Sequence, residues 1–83
     1  MASKKDPEDV RVGATIRALR DAHGLKVVEL AVALGISDTY MSNIEAGRKH
    51  APIAICQQVA KLFRVKLAAI TIEDYEKIRE PAA

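Results

Sequence analysis

The chain has 83 residues, with 13 Lys/Arg against 11 Asp/Glu for a net charge of +2, and only 4% of it is aromatic, with no Trp. That length holds one domain whose core must be aliphatic, and a single cysteine, Cys56, excludes an internal disulfide framework. No apolar run reaches membrane-spanning length and the opening MASKKDPED lacks the apolar segment of a signal peptide, so a cytoplasmic protein is expected, with no membrane partner.

The small net charge hides an uneven distribution. Residues 1–66 hold eleven Lys/Arg against seven Asp/Glu, while residues 67–83 hold two against four. A basic body with an acidic tail suits a polyanion bound away from that tail.

Residues 1–6 read as a disordered basic arm, with Lys4 and Lys5 solvated. Asp6-Pro7-Glu8-Asp9 is a helix start: a cap residue, Pro at the first helical position, then acids facing the positive end of the dipole. This first helix is expected to run to about His23 with Val12, Ile16 and Leu19 buried, and Gly24 ends it.

Val27 to Ala46, VVELAVALGISDTYMSNIEA, reads as two short helices joined by a tight turn. Leu30, Ala31 and Leu34 share a face of the first, and Gly35 stands where a helix end needs positive φ. Ile36 plugs the turn, Ser37 is placed to cap the next helix, and Met41 and Ile44 carry its apolar stripe. Two helices crossing steeply over so short a turn need a small side chain at their closest approach, and Ala31 supplies it. The entry to the first of the pair is weaker, because neither Lys26 nor Val27 has a side chain able to cap it. Its first turn must fray or find another partner.

The second helix of the pair, the third of the chain, runs from Asp38 to about Ala46 and is followed by Gly47-Arg48-Lys49-His50, a loop of concentrated positive charge. Ala51-Pro52 starts a fourth helix with Ile53, Cys56, Val59, Ala60 and Phe63 on its buried stripe and Ile55 and Leu62 left on the outer side. Arg64 occupies the position of a helix terminator, at some strain if its φ is positive. A fifth helix is expected over Lys66 to Ile70. Thr71 to Glu80 is amphipathic, with Ile72, Tyr75 and Ile78 on one side, and reads as a last short helix ended by Pro81.

The stretch Gly24 to Lys49, GLKVVELAVALGISDTYMSNIEAGRK, resembles the Cro/repressor, or Xre-like, family of helix-turn-helix proteins, and the likeness extends more loosely from Val12 to Ile70. The resemblance implies an all-α fold: a five-helix repressor-like bundle over residues 7–70 with a central helix-turn-helix, followed by a tail, 71–83. It implies a sequence-specific regulator of transcription whose partner is double-stranded DNA, with the second helix of the motif in the major groove. The base-reading positions of the family match Asp38, Thr39, Ser42 and Asn43. Asn43 can pair bidentately with adenine, Thr39 can set a methyl against thymine, and Asp38 can accept from cytosine N4, or else serve only as a first-turn acid on the helix dipole.

Tyr40 matches a position that faces the sugar-phosphate backbone. Other phosphate contacts are expected from Arg17, Lys26, Arg48 and Lys49, with Lys26 in place of the capping Ser or Thr usual in the family and Val27 in place of its Gln. Arg11 and Lys61 are left as solvated charges. Arg20 and Glu45 match positions that form an ion pair between the ends of two helices.

Nothing in the sequence supports catalysis or a cofactor. Cys56 lies on an apolar stripe and reads as a structural thiol. His23 sits at a helix end, His50 in a loop, and one Cys with two distant His residues is no metal site. The chain is therefore expected to be no enzyme.

One small module binds DNA weakly, so a homodimer reading two half-sites is expected. A ten-residue tail helix is unstable alone, and its apolar side must pack either on its own chain or on a second copy. The expected dimer contact comprises Leu67, Ile70, Ile72, Tyr75 and Ile78. A second reading keeps the fold and changes the partner: Val28 and Val32, four residues apart on the outer side of a helix, suit an antitoxin-like module that binds another protein.

Overall fold

Asp6 sets the start of the first helix, α1 (Pro7–Ala22), by accepting a hydrogen bond from the Glu8 amide at 2.7 Å with Pro7 just inside the helix. In this computed structural model, which describes residues 5–71, α1 is followed by α2 (Val27–Leu34), α3 (Asp38–Glu45), α4 (Ile53–Phe63) and α5 (Leu67–Thr71). The described residues contain no strand. The expected all-α, five-helix bundle is the observed fold, and the bounds shift by no more than two residues.

Gly35 takes φ 72°, the left-handed conformation its position calls for, and lets the Ile36 amide reach back to the Ala31 carbonyl at 3.0 Å. Ser37 then caps α3, its hydroxyl accepting from the Tyr40 amide at 3.0 Å. Leu30, Met41 and Ile44 are fully buried between the two helices, and Ala31 is buried where they approach. Ile16 of α1, Val59 and Phe63 of α4 and Ile70 of α5 complete one continuous apolar core.

A second close approach is not at Ala31. Gly13 is buried inside α1, and a Cβ built on it would lie 2.9 Å from the carbonyl oxygen of Glu45 and closer still to that of Ile44. The backbones of α1 and α3 touch here, so α1 seats directly on the back of α3.

At the start of α2 the alternative partner is present, and several other expectations are corrected. Lys26 cannot accept a hydrogen bond, yet the start of α2 is not bare: the Glu29 carboxylate folds back onto the Lys26 amide at 2.7 Å, half of a capping box. In α4, Ile53 is 56% exposed whereas Ile55 is buried, the reverse of the expected assignment. At 3.6 residues per turn both lie roughly 70–90° from the centre of the Cys56–Val59–Ala60–Phe63 stripe, on opposite sides of it. Periodicity cannot choose between such flanking positions, and the neighbouring helices do. Arg11 is no idle surface charge, since it donates to the carbonyls of Ile70 at 3.2 Å and Thr71 at 2.9 Å and so ties the end of α5 to α1.

Of the expected basic arm, residues 1–4 lie outside the described residues. Lys5 donates to the Ala46 carbonyl at 3.0 Å, at the end of α3, and Asp6 is the α1 cap. Ile70 has no exposed surface within a single chain and so presents nothing directly to a second copy, whereas Leu67 is half-buried. Ile72, Tyr75 and Ile78, and with them the expected tail helix, lie outside the described residues. Arg64 adopts φ 58°, as a left-handed helix terminator, and its neighbour Val65 bonds back to Ala60 at 3.0 Å.

Candidate nucleic-acid interface

The outward side of α3 is set by what its inward side must bury. Met41 and Ile44 have no exposed surface, so Asp38 and Thr39 at the N-terminal end stand in solvent and Ser42 and Asn43 lie half-exposed one turn on. These four side chains fall on one strip of one helix. Tyr40, beside them, is half-buried and packs its ring against the core, so it anchors the rim of the strip.

Helix α3 is held at both ends. At its start is the Ser37 cap. At its end, Arg20 of α1 meets Glu45 in a two-point pair, Nε to Oε2 at 2.7 Å and a terminal nitrogen to Oε1 at 3.0 Å, with both side chains less than a tenth exposed. The remaining terminal nitrogen donates to the Leu25 carbonyl at 2.7 Å, which joins the α1–α2 turn to the same point. Donating these hydrogen bonds to Glu45 raises the Arg20 pKa above its ordinary value; burial works against this, and the charges of Glu45 and then Asp21 add to it. The guanidinium is thus a fixed cation. A Lys could not make the same three-way junction.

The four cations expected at phosphates are all exposed. Arg17 is on α1, and its ionic neighbour among the described residues is Asp21 at 3.9 Å, a surface contact of little energetic weight. Lys26 is at the start of α2. Arg48 and Lys49 are in the α3–α4 loop, whose amides both bond to the Asn43 carbonyl, at 2.9 and 3.2 Å. Arg48 also reaches Asn43 with its side chain, Nε donating to Oδ1 at 2.9 Å. The loop that carries the positive charge is therefore fastened to one of the four outward residues of α3.

Three features of this region were missed from sequence. The Gly13 crossing had a legible sign, because a lone glycine inside a helix pattern costs stability and implies a packing reason. The Asn43–Arg48 bond and the pair between His50 Nδ1 and Asp9 Oδ1 at 2.9 Å had none, since both depend on the path of a loop.

Cys56 is buried, its thiol pKa pushed up by desolvation, with Sγ 3.8 Å from the Ala51 carbonyl. His23 closes α1 and lies against Phe63, ring centres 4.3 Å apart. Among the described residues no three His, Cys, Asp or Glu side chains come together as a metal site, and no helix is long and apolar enough to cross a membrane. Val28 and Val32 of α2 are 49% and 75% exposed.

The model of the helix-turn-helix domain family matches residues 11–70. The chain is 33% identical over 70 residues to the ImmF control region 10 kDa protein of Bacillus phage phi105, a match covering 84% of this chain and 78% of that protein. Among solved structures, the clp gene regulator ClgR from C. glutamicum superposes with a TM-score of 0.74 at 28% identity, over 87% of this chain and 92% of that one. The restriction-modification controller protein C.AhdI from Aeromonas hydrophila gives a TM-score of 0.72 at 23% identity, over 78% and 98%, a likeness of fold.

Proposed function

We propose that this chain, which belongs to the helix-turn-helix family of DNA-binding transcription regulators, recognises one double-stranded operator sequence as a homodimer with α3 in the major groove. The family consists of regulators and not of enzymes. The observation that carries the finer reading is the exposed strip of α3, fixed at both ends and fastened at Asn43 to the basic Arg48–Lys49 loop.

Asp38, Thr39, Ser42 and Asn43 are the base readers in this proposal, and Arg17, Lys26, Arg48 and Lys49 contact phosphates, with Tyr40 at the backbone edge. Leu67 and the tail positions Ile72, Tyr75 and Ile78 form the contact between copies, with Ile70 supporting Leu67 from beneath. Half-sites then lie about one helical turn, roughly 10 bp, apart. That the phage relative is named for a control region and ClgR for the genes it regulates supports a role at promoters.

Fluorescence anisotropy with DNA flanking the protein's own gene tests the proposal. Expected is a complex whose affinity falls steeply with salt and is stronger for one sequence than for scrambled DNA. Lys49→Ala should weaken all sequences alike and lower the salt slope by about 1 per half-site. Binding that ignores sequence would overturn the operator reading. The exposed Val28 and Val32 favour a second reading, a protein-binding module, and recovery of a stoichiometric protein partner with no DNA complex would establish it.

A further inference from the structure

Three hydrogen bonds from the α3–α4 loop converge on Asn43: the Arg48 and Lys49 amides on its carbonyl, and Arg48 Nε on its side-chain oxygen. A guanidinium has donors only, so the carboxamide orientation is fixed by chemistry: Oδ1 faces Arg48, and the Nδ2 amino group is turned away from it. Asn43 stands on the outward strip of α3, and Arg48 is fully on the surface. A free asparagine reads adenine by accepting from N6 with its oxygen while donating to N7. Here one acceptor site of the oxygen already holds a charged donor, and the unengaged group is the pair of N–H donors.

We infer that Arg48 is a specificity-determining residue: it holds the Asn43 carboxamide so that the pair reads an acceptor edge of a base, guanine N7/O6 or thymine O4, in preference to adenine. The inference rests on the reading of α3 as the base-contacting helix and gives one position of that reading a chemical identity. Arg48 acts through Asn43 and is a positioning residue there, beyond any charge it lends to the phosphate backbone. Adenine pairing would require the carboxamide oxygen to leave or share the Arg48 bond, and the guanidinium beside it repels the exocyclic N6–H donors.

The test is selection of bound sequences from randomised duplex DNA by the full chain, by Arg48→Ala, and by Lys49→Ala as the neighbouring loss of charge. The full chain should select guanine or thymine over adenine at the Asn43 position by about tenfold. Arg48→Ala should lose that preference or turn it to adenine while keeping the other positions of the site, and Lys49→Ala should leave every preference in place.

A preference for adenine in the full chain, or equal and base-independent losses in the two variants, would overturn the inference and leave the operator reading standing. Selection of no sequence by the full chain would overturn both. In the free protein, ¹⁵N relaxation should show the Asn43 side-chain amide ordered and then released in Arg48→Ala. The same mobility in both proteins would overturn the coupling regardless of DNA.

Discussion

Arg20 and Glu45 form a two-point ion pair that spans from α1 to the last residue of α3, with Arg20 Nε and Glu45 Oε2 2.7 Å apart and neither side chain more than a tenth exposed. With little water to screen it, such a pair does not behave like the surface contact between Arg17 and Asp21.

Removing one partner strands the other charge. Glu45→Ala or Arg20→Ala is expected to cost about 3–5 kcal/mol, measured by urea unfolding. The double variant should cost clearly less than the sum of the two. Additive losses would mean the residues do not act as a pair.

Gly13→Ala reverses the usual rule for helices. In an exposed helix interior this change gains up to about 1 kcal/mol. At this position the new Cβ meets the backbone carbonyls of Ile44 and Glu45, which cannot swing aside as a side chain can. A loss of about 1–3 kcal/mol is expected from overpacking, with a matching loss of DNA affinity as α3 is pushed off its seat. A stabilised Gly13→Ala protein in a thermal melt would show that the two backbones are not in contact.

Arg64→Gly tests the opposite situation. Arg64 holds φ 58° with its side chain exposed, so only backbone strain is at stake. An L side chain costs roughly 1–2 kcal/mol in the left-handed region, and glycine gives back part of this through its greater freedom in the unfolded chain. A net gain of about 0.5–1 kcal/mol is expected, read as a rise in Tm with unchanged DNA binding.

The dimer contact is tested by shortening the chain to end at Thr71, which keeps the carbonyls that Arg11 grips. Sedimentation of the full chain should show a concentration-dependent dimer, and the shortened chain should stay folded and largely monomeric. If the shortened chain dimerises equally well, the tail positions Ile72, Tyr75 and Ile78 are not the contact.

By itself, the sequence determined the helices, the helix-turn-helix and the family. Each of these is written in local chemistry: Asp6 and Ser37 as caps, Gly35 at the one turn position that needs positive φ, and apolar residues at a 3.6 period through Leu30, Leu34, Met41 and Ile44. Arg64 was legible as a strained terminator for the same reason. The tertiary structure decided what depends on which elements meet. It chose Ile55 over Ile53 for the core, because both flank the same stripe and only the neighbouring helices break the tie. It turned Arg11 from a solvated charge into the clamp on α5, 59 and 60 residues away, a separation across which no periodicity carries information. It also placed Arg48 on Asn43, since a loop's course follows from the packing of the helices it joins, and that contact sets which atoms of α3 are left to face a partner.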